Sequence, residues 1–130
     1  MEAEKDLRKL LKTMAPKLNE GDFVFCPLTN LSQVDGVNFI SLFKEAEGYT
    51  AILEKSLADR LGLRYSFVAS WITLTVHSSL EAVGLTAAFS KALADEGISC
   101  NVIAAYYHDH IFVDKKDAKK SLEALKKLAH

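Results

Sequence analysis

Residues 83–101 read VGLTAAFSKALADEGISCN, and the pattern of this stretch determines which fold class the chain can adopt. Leu85, Phe89 and Leu93 recur at the spacing of one helical face. Gly97 follows this pattern at the position where a left-handed residue often ends a helix. The stretch therefore predicts a helix that ends before Gly97 and leads into a strand.

Strand-like composition flanks this helix on both sides. The patterns predict strands over residues 65–76, 98–107 and 111–113 and a final helix from about residue 115. The predicted order of the second half is thus strand, helix, strand, strand, helix. Helices that cover one face of an antiparallel sheet make an α+β sandwich of the ferredoxin-like (βαββαβ) type.

The first half has a similar but incomplete order. Its predicted elements are a helix over residues 7–14, strands over 23–27, 37–43 and 49–53, and a short helix over 54–61. Residues 28–36 are too polar and too few for the helix that should join the first two strands. We therefore expect the N-terminal helix to fill that position.

A weak internal repeat relates the two halves. Residues 51–58 read AILEKSLA and residues 111–118 read IFVDKKDA, so apolar residues, an acid, a lysine and an alanine recur at an offset of 60 residues. We therefore predict two tandem units, a degenerate one with the N-terminal helix in residues 1–63 and a complete one in residues 64–130. Each is too small to bury its sheet well alone, so we expect them to pack as one body.

The composition excludes several classes of protein. With 16 Lys and Arg against 17 Asp and Glu, the 130-residue chain has a formal charge of −1 and no basic excess for nucleic acid or an anionic membrane. No apolar run is long enough to span a membrane, and the charged N-terminus does not resemble a signal peptide. Cys26 and Cys100 lie far apart in apolar runs, which is typical of buried thiols in a reducing compartment. The expected location is the cytoplasm.

The run from Trp71 to Val113 resembles an ACT domain, the small-molecule regulatory module of aspartate kinases and other enzymes of amino-acid pathways. The match is specific over residues 83–101, which carry the family's loop ending in glycine, its helix, its corner of leucine, glycine and isoleucine, and its second strand. The whole chain resembles stand-alone bacterial proteins of tandem ACT-like units, although its first unit departs from the pattern. The resemblance implies a regulatory protein that binds a small molecule.

The start of the predicted helix is a candidate ligand site. Gly84 has no Cβ to block a ligand, and the free N–H groups of a helix N-terminus favour an anion such as the α-carboxylate of an amino acid. Hydroxyl and amide side chains nearby could add hydrogen bonds. The predicted ligand-binding residues are Ser78, Ser79, Val83, Gly84, Leu85, Thr86 and Asn101.

The same residues also have a purely structural explanation. Gly84 could serve only a tight loop, Ser78 and Glu81 could form a capping box, and Asn101 could be a polar residue at a strand edge.

Two further features favour structural roles. His108 and His110 could share one side of a strand and bind a metal, but a third ligand is missing, so residues 108–110 are predicted to form a hairpin turn. Tyr106, Tyr107 and Phe112 could stack bases as in RNA-binding sheets, but the basic and glycine-rich strand signature is missing. Packing in a core or an interface is the prediction for these rings and for Trp71. No metal site is predicted.

No recognisable catalytic arrangement is present in the sequence. We found no nucleophile with a base, no paired carboxylates in an apolar setting and no phosphate-binding loop, so we expect neither catalysis nor a cofactor. The expected function is regulation through a bound small molecule, an amino acid, in a homodimer or higher homo-oligomer. The alternatives are a structural or protein-interaction module with a decayed ligand pocket and an enzyme whose site is shared between subunits.

Overall fold

The computed structural model describes residues 2–75 and 84–129, with side chains from residue 7 onward. Within these ranges the helices are α1 Glu2–Thr13, α2 Lys55–Leu61, α3 Leu85–Asp95 and α4 Ala118–Leu128. The strands are β1 Ala15–Leu18, β2 Phe23–Leu28, β3 Ser41–Glu45, β4 Gly48–Glu54, β5 Val68–Thr75, β6 Cys100–Ala104 and β7 Asp109–Asp114. Short 3₁₀ turns lie at Leu31–Val34 and Lys115–Asp117. No helix among the described residues is long and apolar enough to cross a membrane.

The chain forms two compact units, and one of them is discontinuous. Residues 20–69 form the inserted unit, and residues up to 19 join those from 70 onward in the discontinuous unit. Both units carry helices on one face of an antiparallel sheet, as the ferredoxin-like α+β prediction requires.

The inserted unit contains the degenerate half of the fold. Its strands lie in the order β3, β4, β2, followed by the first residues of β5, where Ala69 pairs with Phe23. The 3₁₀ turn at Leu31–Val34 stands where a complete unit would have a helix, and buried Val34 joins the core there. The prediction from the sequence that this half has no α-helix between its first two strands is therefore confirmed.

The discontinuous unit contains the complete half. Its strand order is β1, β5, β7, β6, so the N-terminal strand β1 supplies the fourth strand of this sheet. Its core lies between the helices and the face of β5 and β7 that is turned toward them. The buried core residues are Met14, Ile72, Leu74, Leu85, Phe89, Leu93, Ile98, Ile111, Val113 and Leu125.

The N-terminal helix does not fill the vacant position in the first half, so that expectation is wrong. Leu7, Leu10 and Leu11 of α1 pack against the core of the discontinuous unit. The physical reason lies just after α1, where Met14 is only 4% exposed in that core and β1 pairs with β5. These contacts tie α1 to the second half of the sequence.

The hairpin between β6 and β7 lies three residues earlier than predicted. The backbone N–H of Ala105 donates to the carbonyl of His108 at 3.0 Å, so the turn spans residues 105–108 and His110 belongs to β7. Tyr106 and Tyr107 occupy the tip and are 93% and 80% exposed. Packing of these two rings in the core of the chain is therefore excluded, whereas Phe112 on β7 is buried as predicted.

Candidate functional site

The N-terminal end of α3 has the backbone geometry that the sequence predicts for Gly84. This residue caps the helix with a φ of +92°, and its carbonyl accepts the first helical hydrogen bond from the N–H of Ala88 at 2.8 Å. A side chain at such a φ is strained, which accounts for glycine without reference to a ligand. The end of the helix still presents backbone donors of the kind that bind anions.

Helix α1 occupies the space beside Gly84. A Cβ added to Gly84 would lie 3.4 Å from Cδ2 of Leu7, which is ordinary van der Waals contact. The glycine therefore borders an apolar side chain of the same unit on that side. A ligand that approaches this backbone from the same direction would have to displace Leu7.

The other predicted site residues are only partly brought together. Ser78, Ser79 and Val83 lie outside the described residues. Leu85 is buried in the core, so only its backbone is available, while the side chain of Thr86 is exposed at the second position of α3.

Asn101 lies away from Gly84 within one chain. It is exposed on β6, which begins after α3 has ended. An 11-residue helix is about 16 Å long, and that length separates the two ends. One copy of the chain therefore does not place Asn101 beside Gly84.

A polar and aromatic cluster on the opposite face of this sheet was not predicted. Because Ile72, Leu74 and Ile111 face the core, the alternating residues of the same strands face away from it. Trp71 Nε1 donates to His110 Nδ1 at 3.0 Å, and the Thr73 hydroxyl oxygen lies 3.2 Å from the same nitrogen. Trp71 also stacks on Phe112 with ring centroids 6.0 Å apart.

Asn19 anchors this cluster to the N-terminal segment. Its Nδ2 donates to the hydroxyl oxygen of Thr73 at 2.9 Å, and its backbone N–H donates to the Trp71 carbonyl, also at 2.9 Å. Since the Thr73 oxygen already accepts from Asn19, its hydroxyl hydrogen is available for His110. The sequence offers no signal for these contacts, because they join residues 37 to 54 positions apart.

The cluster fixes the protonation state of His110. An indole nitrogen can only donate, so His110 Nδ1 acts as an acceptor, and the neutral ring carries its hydrogen on Nε2. Burial lowers the pKa of His110, and the nearby His108 lowers it further, while Asp109 opposes both. Burial raises the pKa of the Asp109 carboxyl. Such a cluster stabilises strand pairing and holds a neutral imidazole.

Metal binding finds no support in the described ranges. The rings of His108 and His110 lie 6.5 Å apart between centroids, and His108 Nδ1 is buried without a partner there. No three His, Cys, Asp or Glu side chains of residues 2–75 and 84–129 come together as a metal ion would require. Cys26 and Cys100 are both free thiols.

The inserted unit carries a second polar group of residues. Asp59 accepts hydrogen bonds from the Tyr65 hydroxyl at 2.6 Å and from Lys55 Nζ at 2.9 Å. The bonds from Tyr65 and from Lys55 both lower the pKa of the Asp59 carboxyl, and the bond to Asp59 raises the pKa of Lys55. A neighbouring cavity of about 540 Å³ is lined by Glu20, Gly21, Asp22, Glu54, Lys55, Ser56 and Asp59. Lys55 and Asp59 lie four residues apart in α2, a spacing at which oppositely charged side chains of a helix pair without a ligand.

Comparisons with known proteins agree with the fold. Family models of the ACT domain match residues 2–70 and 66–127. A Vibrio cholerae protein of unknown function, described as a possible transport protein, is 50% identical with a TM-score of 0.90, covering 98% of this chain and 99% of that one.

More distant structures share the fold at low identity. The regulatory subunit of aspartate kinase from Thermus thermophilus has a TM-score of 0.68 at 9% identity, covering 87% of this chain and 95% of that one. Aspartate kinase from Clostridium acetobutylicum has a TM-score of 0.68 at 11% identity, covering 90% of this chain but 34% of the enzyme. No curated protein sequence matches significantly. With ACT-domain models matching both halves, the chain belongs to the ACT-domain family as a protein of two tandem ACT-like units.

Proposed function

We propose that this protein is a non-catalytic regulator that binds a small molecule, an amino acid, and transmits binding through its association with a second copy or a partner. The observation that carries the proposal is the pair of ACT-domain matches, which together span residues 2–127. The structural relatives include the regulatory subunit of one aspartate kinase and a second aspartate kinase that is described as an allosteric enzyme. A ligand acts in such a protein by binding one packing arrangement more tightly than another.

The N-terminal end of α3 is the site that we propose for the ligand. Backbone donors at Gly84 and Leu85 would hold the α-carboxylate, and the Thr86 hydroxyl would add a hydrogen bond. Ser78, Ser79 and Val83 remain in the proposed set as residues of the preceding loop. Asn101 can join this set only from a second copy, because its own chain places it beyond the other end of α3.

A homodimer is therefore part of the proposal. We also propose that the sequence repeat divides between residues 63 and 64, although the compact units divide after residues 19 and 69; the family matches, which end at residue 70 and begin at residue 66, support a division close to this point. The two free thiols, Cys26 and Cys100, support a reducing cytoplasm as the location.

The test is a thermal-shift screen of the twenty common amino acids, followed by calorimetry on any that stabilise the protein. A ligand at a hundred times its Kd should stabilise the fold by about 2.7 kcal/mol. Gly84→Ala should weaken binding of that amino acid, because a side chain at a φ of +92° strains the backbone whose N–H groups are proposed to hold the carboxylate. Gly97→Ala is the matched control, since Gly97 ends the same helix at a φ of +73° with no heavy atom within 4 Å of an added Cβ.

Equal affinities of the two glycine variants for the amino acid would show that it does not bind at the N-terminal end of α3. A screen without any response would contradict the amino-acid proposal as a whole. Turnover of a bound amino acid during prolonged incubation would instead support the enzyme with a shared site.

The second candidate is a protein-interaction module whose ligand pocket has decayed. Two observations favour it, namely the contact of Leu7 with the Gly84 position and the exposed rings of Tyr106 and Tyr107. This candidate predicts no amino-acid response together with stable association.

A further inference from the structure

We propose a second binding site in the discontinuous unit, where α1, β1 and α4 meet, for a small carboxylate that carries an apolar chain or ring. A cavity of about 510 Å³ lies there, lined by Lys12, Met14, Pro16, Lys126 and Ala129. This volume is within the usual range of small-molecule sites, about 300 to 1,000 Å³. Among the described residues, none of those proposed for the α3 site lines this cavity.

The base of the cavity is apolar. Met14 is almost completely buried, and Pro16 and Ala129 are half-buried. Proline has no N–H, so at Pro16 strand β1 presents no donor that would attract water or another strand. An apolar chain or ring would bury hydrocarbon against these three side chains.

The rim of the cavity is cationic. Lys12 belongs to the last turn of α1 and Lys126 to the last turn of α4, so two separate helices each contribute a lysine to the lining of one cavity. The negative dipole ends of α1 and α4 lie near this rim and oppose an anion, so the two lysines must outweigh them for an anion to bind. Both side chains are exposed, and neither has a carboxylate partner within the described part of the chain. An anion between them would receive two charge-assisted hydrogen bonds.

These two features together select the ligand class. Two ammonium groups match the two oxygens of a carboxylate, and an apolar tail on that carboxylate gains from the apolar base, whereas inorganic phosphate has no apolar group to use it. A free amino acid is disfavoured, because its own ammonium group would meet Lys12 and Lys126. The site is therefore chemically distinct from the one proposed at α3.

The probe for this proposal is hexanoate, titrated into the full chain and followed by NMR of the backbone amides. We expect saturable shifts at Met14 and Ala129, the amides nearest the apolar base. Acetate lacks the apolar chain and 1-hexanol lacks the charge, so each should bind at least about tenfold more weakly. Inorganic phosphate should cause no saturable shift at these amides.

Paired variants separate the site from general attraction to a basic surface. The double variant Lys12→Gln/Lys126→Gln should reduce hexanoate affinity at least about tenfold, because both charge-assisted bonds are lost. Lys127→Gln is the control, since Lys127 neighbours Lys126 in α4 but does not line the cavity. All three positions are exposed, so the variants should fold as the wild type does.

Several results would overturn the proposal. The double variant could bind hexanoate as the wild type does, or Lys127→Gln could lose as much affinity as the double variant. Hexanol could shift the same amides at the same concentrations, which would leave no role for the lysines. The absence of saturable hexanoate shifts at Met14 and Ala129 would remove the site altogether.

Discussion

His110 accepts at a single ring nitrogen, Nδ1, which Trp71 Nε1 and the Thr73 hydroxyl both approach. A proton added to Nδ1 would face the indole N–H and remove the acceptor. Protonation therefore opposes the pairing of these side chains between β5 and β7. The stability of the sheet therefore depends on whether the His110 imidazole is charged.

The stability of the protein should rise as the pH increases through the range in which histidine titrates. Burial lowers the pKa of folded His110 below its ordinary value of about 6.5. The unfolded chain then binds the proton more readily, so the contribution of His110 is present above about pH 6.5 and is lost on acidification. Urea denaturation between about pH 5 and pH 8 measures this dependence.

His110→Asn provides the control for this dependence. Its amide oxygen can accept from Trp71 but does not titrate in this range. The variant should therefore show a smaller gain in stability between the two pH values than the wild type. The same gain in both proteins would assign the effect to other groups. The raised pKa of Asp109 acts in the opposite direction, at the lower pH of carboxyl titration.

Ser121 carries a hydroxyl group that is buried in the protein interior. It is fully buried in α4, and its Oγ has no hydrogen-bond partner among the described residues. Ser121→Ala should raise the free energy of unfolding by about 1 kcal/mol, since it removes an unpaired polar group and favours the helix. Ser56→Ala, at an exposed position of α2, measures the helix-propensity part alone. A loss of stability in Ser121→Ala, measured by urea denaturation, would contradict this account.

Strand β1 has only four residues and includes a proline, yet it joins α1 to the sheet. The Thr75 hydroxyl donates to the Ala15 carbonyl at 2.9 Å, and Met14 lies buried in the core. The N-terminal segment is thus held by its own strand as well as by the apolar face of α1.

Met14→Ala should test this attachment. Truncation of a buried methionine costs about 2 to 5 kcal/mol, depending on how far the cavity relaxes. Lys17→Ala, an exposed change in β1, should stay within about 0.5 kcal/mol of the wild type. Urea denaturation followed by Trp71 fluorescence reports on the same sheet. A negligible effect of Met14→Ala would mean that the segment contributes little to this core.

Elements with strong internal patterns could be predicted from the sequence. Helix α3 follows from Leu85, Phe89 and Leu93, all of which are buried as that face requires. The end of the helix before Gly97 is also correct, with Gly97 at a φ of +73°. Such patterns identify the buried face of an element.

The neighbours of each element could not be predicted in the same way. Nothing near Pro16 indicates that residues 15–18 pair with residues 72–75, because the partner strand is far along the chain. The grouping of Asn101 with Gly84 within one chain was also wrong for this reason, because the two residues are close in sequence but are separated in space by the length of α3. Local patterns also placed the turn at residues 108–110, although it lies at 105–108.

For the molecule as a whole, the proposed homodimer can be tested by light scattering. Assembly with a second copy is the one arrangement that could bring Asn101 to Gly84, so association and ligand binding should be linked. We expect a dimer at micromolar concentrations and tighter association when a stabilising amino acid is present. A strict monomer under both conditions would contradict the proposed role of a second copy.

The pairing of β1 with β5 also has a consequence for how the chain folds. Ala15 and Thr75 are separated by 60 residues, and the inserted unit lies between them. During synthesis β1 therefore remains unpaired with β5 until the whole inserted unit has been made. Contacts of such long sequence separation slow folding, because the intervening chain must be ordered before the sheet can close. The inserted unit can form from a continuous stretch of chain, whereas the complete half of the fold must assemble later, from segments on either side of that unit.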